Sequence, residues 1–526
     1  FFDPACCCGN FLVIAYRELR KLELEVLRAS HASGQQFLDI HQLIRIDVDQ
    51  FYGIEIEEFP AQIAQVALWL MDHQMNVRVS EEFGLYFARI PLRTTPHIHC
   101  ANALRLDWND VLPAGRAGYV LGNPPFVGAK FMDDIQRADV AAVFVGVSNA
   151  GLLDFVAAWY VKAARYIAGT AIRCAFVSTN SITQGEQVGV LWGWLLAQGM
   201  HIHFAHRTFS WTNEARGKAA VHCVIIGFGL EDRPGKVIYE YDNIRGEPHA
   251  VPASNINPYL VDALNVVLPN RPTPISAVPS MRWGNKPTDG GHLLFTAEEL
   301  HAFLAEEPKA EKFVRPFISG GDFIDGVKRY CLWLVDASPA ELRSLPRVLD
   351  RIEAVRKFRS ESKAPTTQAY AAYPTRFRQI SQPKTAYLAV PEVSSERREY
   401  IPMDFVAPEV ICSNTLQFVG EATLLHFGVM TSRMHMAWVS TTCGRMKSDF
   451  RYSNTIVYNN FPWPDLGSVR PEPANGPERP KDKEIEQNRP LPSVNRSLSA
   501  IEIEAQSVLD ARAKFQTGAH PASLAD

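Results

Sequence analysis

No stretch of this sequence is apolar for long enough to cross a bilayer, and we recognise no secretory signal in it. Its nine cysteines, three of them consecutive, lack the regular spacing of a secreted disulfide framework. Excess positive charge is missing as well, since 53 Lys and Arg face 57 Asp and Glu for a net charge of -4. That balance does not rule out a nucleic-acid partner, because a large chain can carry a local basic face under a neutral average. There is no internal repeat. A reducing, cytoplasmic setting is the expectation, with no membrane partner. What remains is a globular composition, 47% hydrophobic over 526 residues, enough for two or three domains with sizeable cores.

The chain opens on Phe1 rather than Met and stops just after a helical pattern, so a piece of a longer protein is expected. The first part alternates strand and helix signals. Phe1-Phe2 has the look of a strand stub, followed by a turn through Gly9 and a helix over about Phe11–Leu27. Short strands are predicted at Phe51–Ile54, Ile98–Cys100, Tyr119–Leu121 and Cys174–Val177, and a late one within Ala219–Phe228. Helices are predicted from Pro60, which suits a first turn, and over about Leu153–Ala168. Repeated β-α-β units predict an α/β fold with a doubly wound, mostly parallel sheet, whose ligands sit beyond the carboxyl ends of its strands.

The boundaries expected are a first domain over 1–254, a linker over 255–291, a mixed α+β domain over 292–465, a flexible Pro-, Glu- and Asn-rich linker over 466–497, and a helical segment over 498–526.

Four strand ends carry the chemistry. Gly122-Asn123-Pro124-Pro125-Phe126 follows the predicted strand at Tyr119–Leu121. Two prolines without N–H donors hold φ and leave carbonyls free to accept, while the Asn123 side-chain oxygen supplies another acceptor. Such a pair can bind both hydrogens of an exocyclic amino group and turn its lone pair toward a methyl donor. Phe126 offers a flat face for a base extruded from a duplex. A plain Asn-Pro turn is the alternative.

The opening Asp3-Pro4-Ala5-Cys6-Cys7-Cys8-Gly9-Asn10-Phe11 is a small-residue loop between strand and helix, where backbone can approach a ligand closely. Asp3 would suit the ammonium of S-adenosylmethionine; the alternative is a helix-capping turn. Adjacent cysteines cannot converge on one tetrahedral zinc, so no metal is expected. Glu55, ending the second strand, suits ribose hydroxyls, or is a solvated surface charge. Asn102 suits the cofactor's adenine, with Asp107 beside it.

In this order the motifs resemble those of the gamma-class amino-methyltransferases of DNA. DPACCCGNFLVIAYRELRKLE, GNPPFVGAKFM and Arg329-Tyr330-Cys331-Leu332-Trp333-Leu334 look more closely like the MmeI-like type IIL restriction–modification enzymes. The similarity covers most of the chain up to Asn460-Phe461-Pro462-Trp463-Pro464 and resumes around Ala505 to Phe515.

The resemblance implies a Rossmann-like methyltransferase domain and a target-recognition domain. It implies an adenine-specific, site-specific DNA methyltransferase of a restriction–modification system, with S-adenosyl-L-methionine as cofactor and double-stranded DNA as partner. Asn123, Pro124, Pro125 and Phe126 would be catalytic, and Asp3, Ala5, Gly9, Glu55 and Asn102 would hold the cofactor. In the family a nuclease and a helical spacer precede these parts. Cys7 departs from it, standing where glycine is usual, so crowding of the cofactor or an unfavourable φ is expected there. Cytosine N4, a protein glutamine, and a truncated fragment that binds DNA without methylating it are the competing expectations.

Between Arg343 and Lys384 the sequence gathers Arg347, Arg351, Arg356, Lys357, Arg359, Lys363, Arg376 and Arg378, with Tyr370, Tyr373 and Phe377 interleaved. Arg351, Arg356, Lys357, Arg359, Arg376 and Arg378 are the candidates for DNA contact, as phosphate holders or readers of guanine edges. The alternative is a solvated helix face, since Glu353 and Glu361 lie among them.

Overall fold

The computed structural model describes residues 1–32, 43–83, 95–211, 221–464, 492–517 and 523–524. These form two compact units, Phe1–Pro269 and Asn270–Asp526.

The first unit is built on a nine-stranded sheet. Its first five strands are β1 (Phe2–Asp3), β2 (Tyr52–Glu55), β3 (His97–Cys100), β4 (Tyr119–Gly122) and β5 (Arg173–Thr179). They lie in the order β3-β2-β1-β4-β5, all parallel. This is the expected doubly wound arrangement, and its order reverses between β1 and β4, where such sheets open a crevice at the carboxyl ends. Short as it is, β1 is central: Phe2 registers with Tyr52 on one side and Val120 on the other.

The remaining strands are β6 (His201–Trp211), β7 (Val221–Gly229), β8 (Lys236–Glu240) and β9 (His249–Ala253). The late β-branched strand β7 inserts antiparallel between β5 and β6.

Helices α1 (Asn10–Ala32) and α2 (Glu58–Phe83) are the crossovers from β1 to β2 and from β2 to β3. Leu12, Tyr16, Leu24 and Leu27 of α1 are buried against Ala61, Ala64, Leu68, Met75 and Val79 of α2, at helical spacing on both. Among them lies Arg20, 0% exposed, donating to Tyr16 Oη (2.8 Å), Asp72 Oδ1 (3.2 Å) and Asn76 Oδ1 (3.0 Å). Helices α3 (Trp108–Val111), α4 (Asp134–Val143), α5 (Ala157–Tyr166) and α6 (Gly185–Ala197) complete the unit.

The helix expected over Leu153–Ala168 starts later, at Ala157. Asp154 and Phe155 are taken by the loop after β4 instead: Phe155 N–H donates to Val127 O (2.9 Å), and Asp154 Oδ1 accepts from Ala129 N–H (2.9 Å).

The second unit contains two four-stranded sheets and one three-stranded sheet. One four-stranded sheet pairs Leu416–Gly420 with Met281–Trp283 and Tyr387–Pro391. The other centres on Val314–Ile318 and Arg329–Leu332. The stretch 255–291, expected as a linker, is instead fastened into the two units separately. Ile256 bridges Ile202 in the first, and Met281–Trp283 is an edge strand of the second. Its prolines and polar residues hid three-residue pairings that periodicity does not reveal. A terminal helix spans Pro492–Gln516, with Ala505 buried; the linker expected over 466–497 falls largely outside the described residues. No described helix is long and apolar enough to cross a membrane.

Candidate active site and cofactor turn

The carboxyl ends of β1, β2 and β4 bring the predicted residues to one edge. Asp3 ends β1 and is 1% exposed, its Oδ1 accepting from Ala5 N–H (2.9 Å). Burial pushes its carboxyl up to about 7, the Ala5 hydrogen bond opposes this, and the charge of Glu55 adds to it. The side chain fits only because Gly122 has none: a β-carbon there would lie 2.5 Å from Asp3 Oδ1. Asp3 is therefore packed against Gly122, the last residue before Asn123.

After Asp3 the chain turns sharply. Cys6 N–H donates to Ile54 O (3.0 Å), and Gly9 N–H returns to Cys6 O (2.7 Å). Gly9 has φ +81°, and α2 passes so close that a β-carbon would meet Ala64 Cβ at 2.9 Å. Cys7, where a glycine was expected from the resemblance, has φ +48°, in the left-handed region that strains a side chain. Its thiol is exposed, and its N–H donates to Glu55 Oε2 (2.9 Å). The other oxygen of Glu55 accepts from Glu57 N–H (3.0 Å). The carboxylate is thus oriented by two backbone donors at the end of β2, with acceptor capacity left over for a diol. Cys6 is buried with its sulfur against Gly53, and among the described residues no group of His, Cys, Asp or Glu is arranged for a metal.

Asn102 lies past β3 but is already engaged: its Oδ1 accepts from Leu104 N–H (2.9 Å) and its Nδ2 donates to Asp139 Oδ2 (2.8 Å). It shapes the loop after β3. Asp107 caps the short helix α3 through Asn109 N–H (2.9 Å).

At the β4 turn, Pro124 is buried, Pro125 exposed and Phe126 half-buried. The Asn123 Oδ1 is buried and has no hydrogen-bond partner. A buried amide oxygen left unpaired costs about 1–3 kcal/mol, so this oxygen is free to accept from a water or from a ligand donor.

Several supporting residues escaped the sequence. Helix α5 fastens two loops of the site: Trp159 Nε1 donates to Pro4 O (3.1 Å), and Lys162 Nζ donates to Leu104 O (3.3 Å) and Leu106 O (2.5 Å). Burial lowers the Lys162 ammonium to about 8. Asp154 clamps the segment after Phe126 to the exit of β5, accepting from Ala129 N–H on one oxygen and from Ser181 Oγ (2.5 Å) on the other. No local signal marks these residues, because each acts on a loop far away along the chain.

The basic candidates of the second unit separate into two kinds. Arg359 is 0% exposed and donates to the carbonyls of Thr288, Pro287, Tyr373 and Arg376 at 2.8–2.9 Å. Its expected role in DNA contact is corrected: with a longer bond to Tyr370 O (3.4 Å), the guanidinium is consumed in holding five backbone oxygens inside the unit. Arg351 is half-buried, stacked 3.9 Å from the Phe295 ring centre and donating to His292 O (2.7 Å). It too is largely structural. Phe377 is buried at 1%, edge-on to Trp333, so it belongs to the core rather than to a stacking surface. Arg356, Lys357 and Arg376 are exposed; Arg356 lies 3.3 Å from Glu353, and Arg378 donates to Thr366 Oγ1 (2.9 Å).

Comparison with known proteins agrees with this division. Residues 1–240 match the family model described as MmeI, DNA-methyltransferase domain, and residues 262–465 match MmeI, target recognition domain. The chain is 39% identical over 474 residues to DNA methyltransferase A of Bacillus subtilis (strain 168), covering 89% of this chain and 53% of that protein. It is 54% identical to the type IIL restriction–modification enzyme MmeI, whose structure was solved in complex with DNA. That match has a TM-score of 0.85 and covers 100% of this chain and 66% of the other. The chain thus spans about half of the one relative and less than two thirds of the other. It belongs to the MmeI family and carries that family's DNA-methyltransferase and target recognition domains.

Proposed function

We propose that this chain transfers a methyl group from S-adenosylmethionine to the N6 amino group of adenine in duplex DNA, as part of a restriction–modification system. The observation that carries this is the buried, unpartnered Asn123 Oδ1 in a Pro-Pro turn at the crevice of the sheet. An amide oxygen there suits an N–H donor, and an exocyclic amino group supplies two.

The residues of the first unit fit the cofactor. Asp3, buried beside the turn, would hold an ammonium; Glu55, already oriented by Cys7 and Glu57, would accept from ribose hydroxyls. Ala5 and Gly9 keep the turn narrow, and the loop ordered by Asn102 would border the adenine ring. When bound, the cofactor supplies an electrophilic methyl group.

Asn123 Oδ1 and the Pro124 carbonyl would each accept one amino hydrogen. That draws the lone pair out of conjugation with the ring and aims it at the methyl group. Pro124 and Pro125 limit the turn's freedom, and Phe126 would stack on the extruded base. The amino nitrogen sheds its proton after methylation, when it is acidic, so no side chain need act as an obligatory base. We further propose that residues 292–465 recognise the DNA sequence, with exposed Arg356, Lys357 and Arg376 among the contacts.

Transfer of tritiated methyl from the cofactor to DNA, followed by nucleoside analysis, tests the proposal on the full gene product. Label on N6-methyladenine, lost in Asn123→Ala with cofactor affinity retained, is expected. Label confined to cytosine or to protein would sink it.

A further inference from the structure

Methylation of a paired adenine requires that the base leave the helix, which costs unstacking and leaves a gap opposite the orphaned partner. Proteins that distort duplexes in this way insert apolar side chains into the stack. An inserted side chain must be large, exposed and held on a backbone that does not yield.

Phe131 meets these conditions. It is 84% exposed, yet its backbone is not free. Its N–H closes a turn onto Gly128 O (2.8 Å), and its ring lies over Gly128, whose β-carbon would stand 3.4 Å from Cδ2. That turn is pinned at Ala129 to Asp154 Oδ1 (2.9 Å), and Asp154 Oδ2 accepts from Ser181 Oγ (2.5 Å).

Ser181 stands just beyond Thr179, the last residue of β5, and β5 runs parallel to β4 with Phe176 opposite Gly122. The turn is thereby fastened to the same carboxyl edge as Asn123. It continues directly from Phe126, and the exposed Lys130, the residue before Phe131, adds a cation suited to a phosphate. An isolated exposed aromatic carries little meaning on a surface. One whose turn follows directly on Asn123–Phe126 and is tied through Asp154 to the exit of β5 is different.

We propose that Phe131 is the wedge that enters the DNA stack when the target adenine is extruded, occupying the space the base vacates. This rests on the methyl-transfer proposal above. It concerns a different event, the stabilisation of the extruded state rather than the chemistry on the amino group.

The test begins by locating the methylated adenine through long-read sequencing of host DNA from cells expressing the protein. Two duplexes carrying that site are then compared, one fully paired and one with an abasic position opposite the target, where extrusion is already easy. Phe131→Ala is expected to slow methylation of the paired duplex by roughly tenfold or more, and to approach the wild-type rate on the abasic one. Phe131→Trp, which keeps a large flat side chain, is expected to stay near wild type on both. With 2-aminopurine at the target, the fluorescence rise on binding should be present in wild type and weakened in Phe131→Ala.

Equal rates for Phe131→Ala and wild type on the paired duplex would overturn the wedge while leaving methyl transfer intact. So would an equal loss on both duplexes, which would mark a structural role or a protein contact. If the wild type marks no adenine, the methyl-transfer proposal itself fails and the wedge falls with it.

Discussion

Asp3 Oδ1 occupies the space where a side chain at Gly122 would begin, 2.5 Å from the position of its β-carbon. The turn that follows β1 and the turn that follows β4 are thus fitted to each other through one carboxylate and one missing methyl group. Gly122→Ala should force Asp3 from its hydrogen bond with Ala5, with a stability loss of about 1–3 kcal/mol typical of overpacking. Calorimetric titration with S-adenosylmethionine should show affinity reduced by about tenfold or more, as expected if a charge-assisted contact is lost. Unchanged affinity would mean that Asp3 does not hold the cofactor.

The same carboxyl predicts a pH dependence. Burial raises it from an ordinary 3.8 to about 7 in the unliganded protein. The cationic ammonium binds the ionised form; because an α-amino group itself gains its proton below about pH 8, cofactor affinity should fall by roughly fourfold from pH 8 to pH 6. Asp3→Asn should flatten the profile. For folding without cofactor the sign is opposite to that of an ion-paired acid. The contribution of Asp3 is fully present below its unfolded value and is lost as pH rises toward about 7. A flat wild-type affinity profile across this range would remove Asp3 from cofactor binding.

Cys7 holds φ +48° at a position that glycine would occupy without strain. Cys7→Gly should therefore stabilise the first unit by about 1 kcal/mol, while its N–H stays on Glu55. Calorimetric unfolding would register this as a raised Tm. A lowered Tm would show that the cysteine side chain contributes packing worth more than the strain.

Arg359 and Arg376 should behave oppositely although both are arginines of the same basic stretch. Arg359→Ala leaves buried carbonyls without donors and should destabilise the second unit by several kcal/mol, on the order of 3–5, as for other buried charged hubs. Arg376→Ala should leave Tm unchanged and weaken DNA binding, with a smaller salt slope in a fluorescence anisotropy titration. Loss of affinity without loss of stability in Arg359→Ala would reverse the assignment.

Much of the first unit was legible because its signals are local. A strand needs only a few adjacent β-branched or aromatic residues, and the turns at Asp3–Gly9 and Gly122–Phe126 are contiguous, so their order alone indicated a parallel sheet with ligands at its carboxyl edge. The basic stretch was legible only as composition. Spacing cannot distinguish Arg359 from Arg376, because burial depends on which distant carbonyls the fold delivers. Likewise nothing near Asn102 in the sequence shows that Asp139, far along the chain, accepts from its amide.

By itself the sequence determined the alternation of elements, the identities of the two turns and the departure at Cys7, all properties of neighbouring residues. Only the tertiary structure decided that Asn123 Oδ1 is buried without a partner and that Gly122 is a glycine for the sake of Asp3. It also decided that Asp154 holds the turn at Ala129, two residues before Phe131. Those relationships join residues distant in the chain, and burial and hydrogen-bond geometry exist only once the strands that carry them have been set side by side.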